Sequence, residues 1–115
     1  MVSAHSRTAR LVACLFASAC ILASANPCHA GDVKAGRAKA MACQACHGLD
    51  GLSKNPEAPN LAGQVENYLV KALKDYGTGE RKHEAMNIVA KDLSDADIAD
   101  VAAYYAGIQV DVLPP

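Results

Sequence analysis

The run Cys43-Gln44-Ala45-Cys46-His47 constrains this chain more than any other stretch of it. Two thiols three positions apart lie on one side of a helical turn, and an imidazole follows the second directly. The fold must bring that turn to the edge of something two sulfurs and a ring nitrogen can hold together. The rest of the chain offers little with which to build a core. It has no Trp, its single Phe is Phe16, and its tyrosines are Tyr68, Tyr76, Tyr104 and Tyr105.

Residues 1–30 read as a leader rather than as part of the fold. Residues 1–10 are polar with Arg7 and Arg10, residues 11–25 are apolar and uncharged, and Cys28-His29-Ala30 places small residues around a cleavage position. These are the three parts of a secretory signal peptide, with the cut expected after Ala30. An uncleaved anchor would need about 20 apolar residues. A lipoprotein site at Cys20 would follow Ala17-Ser18-Ala19, which lacks the usual leucine. Removal of the leader takes Cys14, Cys20 and Cys28 with it and leaves Cys43 and Cys46 as the only cysteines of residues 31–115. Of the 11 basic residues, Arg7 and Arg10 go with the leader, so nine face all 12 acidic residues, a formal charge of −3. That balance argues against nucleic acid, which requires a basic face. In an oxidising compartment two lone thiols oxidise unless something occupies them. A single domain of this size also has too small a core to rely on packing alone and is expected to carry a staple.

The periodicity is helical throughout. Asp32 is placed to cap a helix over 33–42, with Gly36 inside it. An interior glycine costs about 1 kcal/mol relative to alanine, so either another helix approaches closely there or the helix has a weak point. Residues 48–60, with Gly48, Gly51, Pro56 and Pro59, read as loop. Val65, Tyr68, Leu69, Ala72, Leu73 and Tyr76 fall on one helical face, and Gly77 and Gly79 are expected to end that helix. A polar-rich segment containing His83 and Met86 follows. Ser94 and Asp97 form the S-x-x-[DE] start of a last helix, with Leu93 and Ile98 placed for a hydrophobic staple. Ile98, Val101, Ala102, Tyr105 and Ile108 line its inner side, and Gly107 is expected to end it. No strand-like alternation occurs. The expected fold class is all-α, with three or four helices and long loops.

C-x-x-C-H is the attachment signature of c-type haem: each thiol adds to one vinyl group and the adjacent histidine binds the iron. The residue types leave other readings open. A thioredoxin-like dithiol expects a βαβ context that is absent. A zinc site needs four ligands, for which Cys43, Cys46, His47 and His83 are available, although consecutive Cys-His ligation is awkward. On the haem reading His47 is the proximal ligand. The sixth position falls to Met86, to His83 or to water. Met41, two residues before Cys43, is on the wrong side of the ring. Met/His ligation is a known pattern for such iron and raises its potential. The other N–H of a ligating histidine usually meets a carbonyl; Pro59 is the candidate, with an ordinary loop proline as the alternative. With both axial positions filled, iron exchanges single electrons and offers no vacancy to a substrate. The chain is then an electron carrier without catalytic residues, not an enzyme.

These residues resemble the class I c-type cytochromes, in particular the small bacterial periplasmic monohaem type that also forms one half of diheme cytochromes. The likeness rests on Gly36 seven residues before Cys43, the motif through Gly48, Pro59-Asn60-Leu61-Ala62-Gly63-Gln64, Tyr68-Leu69 with Leu73, Gly79-Glu80-Arg81, Met86, and Leu93-Ser94 through Tyr104-Tyr105. It implies a cytochrome c fold of three main helices wrapped around one covalently bound haem c and its iron, the first and last helices crossing near Gly36 and Tyr104. It also implies a periplasmic electron shuttle between periplasmic or membrane-bound redox proteins, with no membrane span after signal removal. Two other functions compete: the electron-acceptor subunit of a periplasmic dehydrogenase acting on a sulfur compound or an alcohol, and an open-site haem sensor or peroxidase. An apolar docking patch, to which Val110, Val112 and Leu113 would contribute, would mark the subunit. Lys54, Lys71, Lys74, Arg81 and Lys82, if gathered at the haem edge, would steer an acidic partner; otherwise they are simply solvated.

Overall fold

In a computed structural model, residues 30–115 are described; the expected signal peptide, apart from Ala30, lies outside them. They form five helices: α1 (Val33–Lys39), α2 (Gln44–His47), α3 (Glu66–Thr78), α4 (Glu84–Lys91) and α5 (Asp95–Ala106), with a 3₁₀ turn, Ala40–Ala42, between α1 and α2. No strand occurs among the described residues. The all-α, helix-and-loop expectation is met.

Asp32 caps α1 by accepting from the backbone N–H groups of Lys34 and Ala35 at 2.8 and 2.9 Å. The expected helix over 33–42 tightens to 3₁₀ geometry in its last three residues. α1 crosses α5, and Gly36 marks the crossing. A Cβ there would overlap the carbonyl oxygen of Asp100 and lie 2.9 Å from the Cβ of Tyr104. Close approach of a second helix is therefore the reason for the glycine. The Asp32 N–H adds a hydrogen bond to Asp100 Oδ1 across the same contact, at 2.7 Å.

α3 runs through Gly77 and stops at Gly79, whose φ of 81° closes the helix in the left-handed conformation. Gly77 thus serves packing rather than termination. A Cβ on it would come within 3.2 Å of the Ala90 carbonyl on α4, where the two helices lie together. α4 itself falls in the stretch that reads as polar-rich segment. His83, an uncommon cap, begins it by accepting from the Met86 N–H through Nδ1 at 3.3 Å.

α5 starts as its sequence predicts. Ser94 Oγ accepts from the Asp97 N–H and Asp97 Oδ2 accepts from the Ser94 N–H, each at 3.1 Å. It is also the central element, contributing Val101, Ala102 and Tyr105 to a core that Ala40 and Leu69 complete. Each large apolar side chain buried there contributes about 1.5–3 kcal/mol. No helix among the described residues is long and apolar enough to cross a membrane.

Candidate haem-binding site

The site begins with the short turn α2. Cys43 stands at its N-terminus, half-buried against the core, and Cys46 is exposed; the two are not bonded to each other. Burial pushes the Cys43 thiol above its ordinary pKa. His47 closes the turn and is only 8 % exposed. Gly48, at φ 73°, ends it in a backbone conformation that a larger residue rarely adopts.

The loop that follows folds back on the turn. The Lys54 N–H reaches the Cys46 carbonyl at 2.9 Å, the Ser53 N–H reaches Asn60 Oδ1 at 2.7 Å, and Leu61 and Ala62 both donate to the Gly51 carbonyl. These bonds return Pro59 to the histidine, whose Nδ1 lies 2.8 Å from the Pro59 carbonyl oxygen. A carbonyl only accepts, so Nδ1 carries a proton, and in the neutral ring the lone pair is then on Nε2. From the other side α5 holds the segment after His47. Tyr105 Oη donates to the Gly48 carbonyl at 3.0 Å and Tyr104 Oη to that of Leu49 at 2.7 Å.

A largely apolar cavity opens beside this turn. α2 supplies Cys46 and His47, α3 supplies Tyr68, Leu69, Ala72, Leu73 and Tyr76, α4 supplies Met86 and Val89, and α5 supplies Val101 and Tyr105. Cys43, Pro59, Leu61 and Leu93 complete most of the rest. The structure therefore brings Cys43, Cys46, His47, Pro59 and Met86 to one cavity. Met41 is absent from its lining and half exposed. His83 is not in that lining; it lies on a neighbouring, more open groove shared with Cys46, His47 and Met86 as well as Asn55, Glu57 and Glu84, and its Nδ1 is engaged by the cap of α4. Among the described residues no three His, Cys, Asp or Glu side chains converge as a metal-binding group.

Among the described residues, Arg81 is the one charged side chain lining the cavity. Its guanidinium stands 4.7 Å from the Tyr76 ring centroid and donates to Tyr68 Oη at 3.3 Å. The sequence gives no hint of this arrangement. Of the basic residues named for the haem edge, Lys54 pairs with Asp50 at 3.0 Å, Lys74 with Asp95 at 2.9 Å and Lys71 with Asp75, while Arg81 packs on the two tyrosines. Lys39 pairs with Asp97 at 2.6 Å. That bond, with those from Ser94, holds the Asp97 carboxyl down to about 2.

A family model for cytochrome c matches residues 33–108. The chain belongs to the cytochrome c family. Two relatives are each 49% identical to this cytochrome. One is cytochrome c4 of Pseudomonas aeruginosa, over 83 residues covering 72% of this chain and 41% of the relative. The other is cytochrome c-554(548) of Halomonas halodenitrificans, over 80 residues covering 67% of this chain and 96% of the relative. The crystal structure of reduced recombinant cytochrome c4 from Pseudomonas stutzeri superposes with a TM-score of 0.67 at 42% identity, covering 72% of this chain and 48% of that one. This cytochrome thus spans less than half the length of its cytochrome c4 relatives and nearly all of the Halomonas protein.

Family membership brings a covalently bound haem c with its iron, and the chemistry of the cavity fits it. Paired thiols stand at one wall, apolar side chains form the others, and a buried imidazole beside them has a lone pair on the nitrogen that Pro59 leaves untouched. Cys43 and Cys46 supply the thioether positions. The dithiol and zinc readings fall away.

Proposed function

We propose that this cytochrome is a one-electron carrier whose haem iron is held between His47 Nε2 and Met86 Sδ. Once bound, the haem supplies an iron that cycles between the ferric and ferrous states. The chain's own residues do the rest. Cys43 and Cys46 fix the macrocycle, and the Pro59 carbonyl holds the His47 proton on Nδ1 and so orients the ring. The apolar faces of α3 and α5 keep water away, and Arg81, in the cavity lining, would offer a positive partner to a haem carboxylate. The thioether of Met86 favours ferrous iron and raises the potential.

The observation that carries this reading is that His47 and Met86 line one cavity from two separate elements, α2 and α4. With both His47 and Met86 bound, the iron would exchange electrons without binding a substrate; an open-site sensor or peroxidase would need Met86 off the iron. The protein works in the periplasm after loss of residues 1–30 and passes electrons between periplasmic or membrane-bound redox proteins.

The test is expression with a c-type maturation system. Intact mass should report one covalently added haem and a chain that begins near Gly31. The ferric spectrum should carry the weak long-wavelength thioether-to-iron band, and Met86→Ala should lose it and lower the potential. A Met86→Ala spectrum identical to that of the unaltered protein refutes the ligand.

A second reading, the haem subunit of a periplasmic dehydrogenase, is favoured by one observation: Val112 and Leu113 are 88% and 84% exposed, with Val110 beside them at 50%. Size exclusion of native material decides between the two. A stable co-eluting catalytic chain establishes the subunit, and elution alone establishes the carrier.

A further inference from the structure

Asn87 follows Met86 on α4 and points elsewhere, because successive residues of a helix diverge by about 100°. Its amide makes three hydrogen bonds. Nδ2 donates to the carbonyl of Tyr76, in the last turn of α3, at 2.6 Å and to the carbonyl of Arg81 at 2.7 Å. Oδ1 accepts from the N–H of His83 at 2.7 Å. The partners fix the orientation of the amide, since two carbonyls need donors and an N–H needs an acceptor. One half-buried side chain thereby ties together the end of α3, the turn over 79–83 and the start of α4.

We propose that Asn87 is the positioning residue for Met86 as an iron ligand, an inference that rests on the assignment of Met86 made above. Methionine has three rotatable bonds and no rigid plane, so its sulfur stays in place only if its backbone does. α4 is eight residues long, and helices this short are marginal alone. Its cap is a single 3.3 Å bond from Met86 N–H to His83 Nδ1. The amide of Asn87 hydrogen-bonds this helix start to the longer α3, beside an edge contact between the His83 and Tyr76 rings with centroids 6.3 Å apart. At the Tyr76 carbonyl, in the last turn of α3, the amide adds a second donor beside the Gly79 N–H, which reaches the same oxygen at 3.2 Å. Other side chains fail at this position: Asp offers the acceptor but no donors, and Ala offers neither.

The test uses the haem-loaded protein and its competition with added imidazole, which binds ferric iron once Met86 lets go. Asn87→Ala should bind imidazole about tenfold more tightly or better, the effect of losing roughly one net hydrogen bond's worth of closure. Its thioether-to-iron band should fade at a lower temperature than the global unfolding transition. Asn87→Asp, which keeps the acceptor and sets an anionic oxygen against two carbonyls, should move in the same direction and further; it also serves if the alanine variant does not accumulate. Ser94→Ala, at the start of α5, is the control for general destabilisation and should leave imidazole affinity unchanged. The proposal is overturned if both Asn87 variants bind imidazole as the unaltered protein does, or if Ser94→Ala reproduces their gain. Met86→Ala separates the two levels. If it leaves band and imidazole affinity untouched, the ligand assignment fails and the proposal with it. If it abolishes the band while the Asn87 variants do nothing, only the proposal fails.

Discussion

The hydroxyl of Tyr105 donates to the carbonyl of Gly48, 57 residues earlier, at 3.0 Å in the buried core. The last helix thus grips the backbone immediately after His47. Burial pushes the Tyr105 phenol far above its usual pKa, so it remains a donor at any pH the protein meets. Tyr105→Phe leaves the Gly48 carbonyl without its partner and should cost about 1–3 kcal/mol, read as a lower denaturation midpoint of the haem-loaded protein with haem attachment intact.

Gly36→Ala tests the crossing of α1 and α5. The new methyl group collides with the Asp100 backbone, which cannot turn aside as a flexible side chain would. A loss of about 3 kcal/mol or more is expected, seen in urea denaturation and in a reduced yield of haem-loaded protein.

His83→Ala separates capping from ligation. With Met86 as the ligand, removal of the imidazole takes away the acceptor for the Met86 N–H and the edge contact with the Tyr76 ring, whose centroid lies 6.3 Å away, but no iron ligand. Stability should fall by about 0.5–2 kcal/mol, while the ferric spectrum keeps its thioether-to-iron band. Loss of that band in the variant would make His83 more than a cap.

Acid should weaken the packing of α5. The bond from Lys39, with those from Ser94, holds the Asp97 carboxyl at about 2, against an ordinary value near 3.9 in the unfolded chain. A depressed pKa of this kind contributes stability above about pH 4 that is lost as pH falls through 2. Asp97→Asn should therefore unfold more readily than the unaltered protein at pH 5, and the difference should vanish toward pH 2. Urea midpoints across that range check it.

The sequence foretold the fold where local signals and tertiary demands agreed. Ser94 and Asp97 gave the start of α5, the apolar spacing from Val65 to Tyr76 gave α3, and Gly36 asked for a neighbouring helix and had one. Gly77 was misleading because a glycine that thins a helix for packing looks the same in sequence as one that ends it. α4 was missed because its cap is a histidine and Glu84, Asn87 and Lys91 dilute its apolar pattern. Yet Ala85, Met86, Val89 and Ala90 sit at helical spacing and were the available signal. Asn87 was not legible, and Arg81 was legible only as a candidate cation of the haem edge, since their partners are backbone carbonyls and tyrosine rings brought close only by folding.

The pairing of Lys54, Lys71 and Lys74 with Asp50, Asp75 and Asp95 bears on how other molecules find this one. Beyond a Debye length, about 8 Å at physiological ionic strength, each pair presents a small dipole and no net charge. These three pairs therefore give an approaching protein little guidance until the surfaces nearly touch. Longer-range steering falls to Arg81, Lys82 and the formal charge of −3 over residues 31–115, and the salt dependence of the encounter rate reports on those charges.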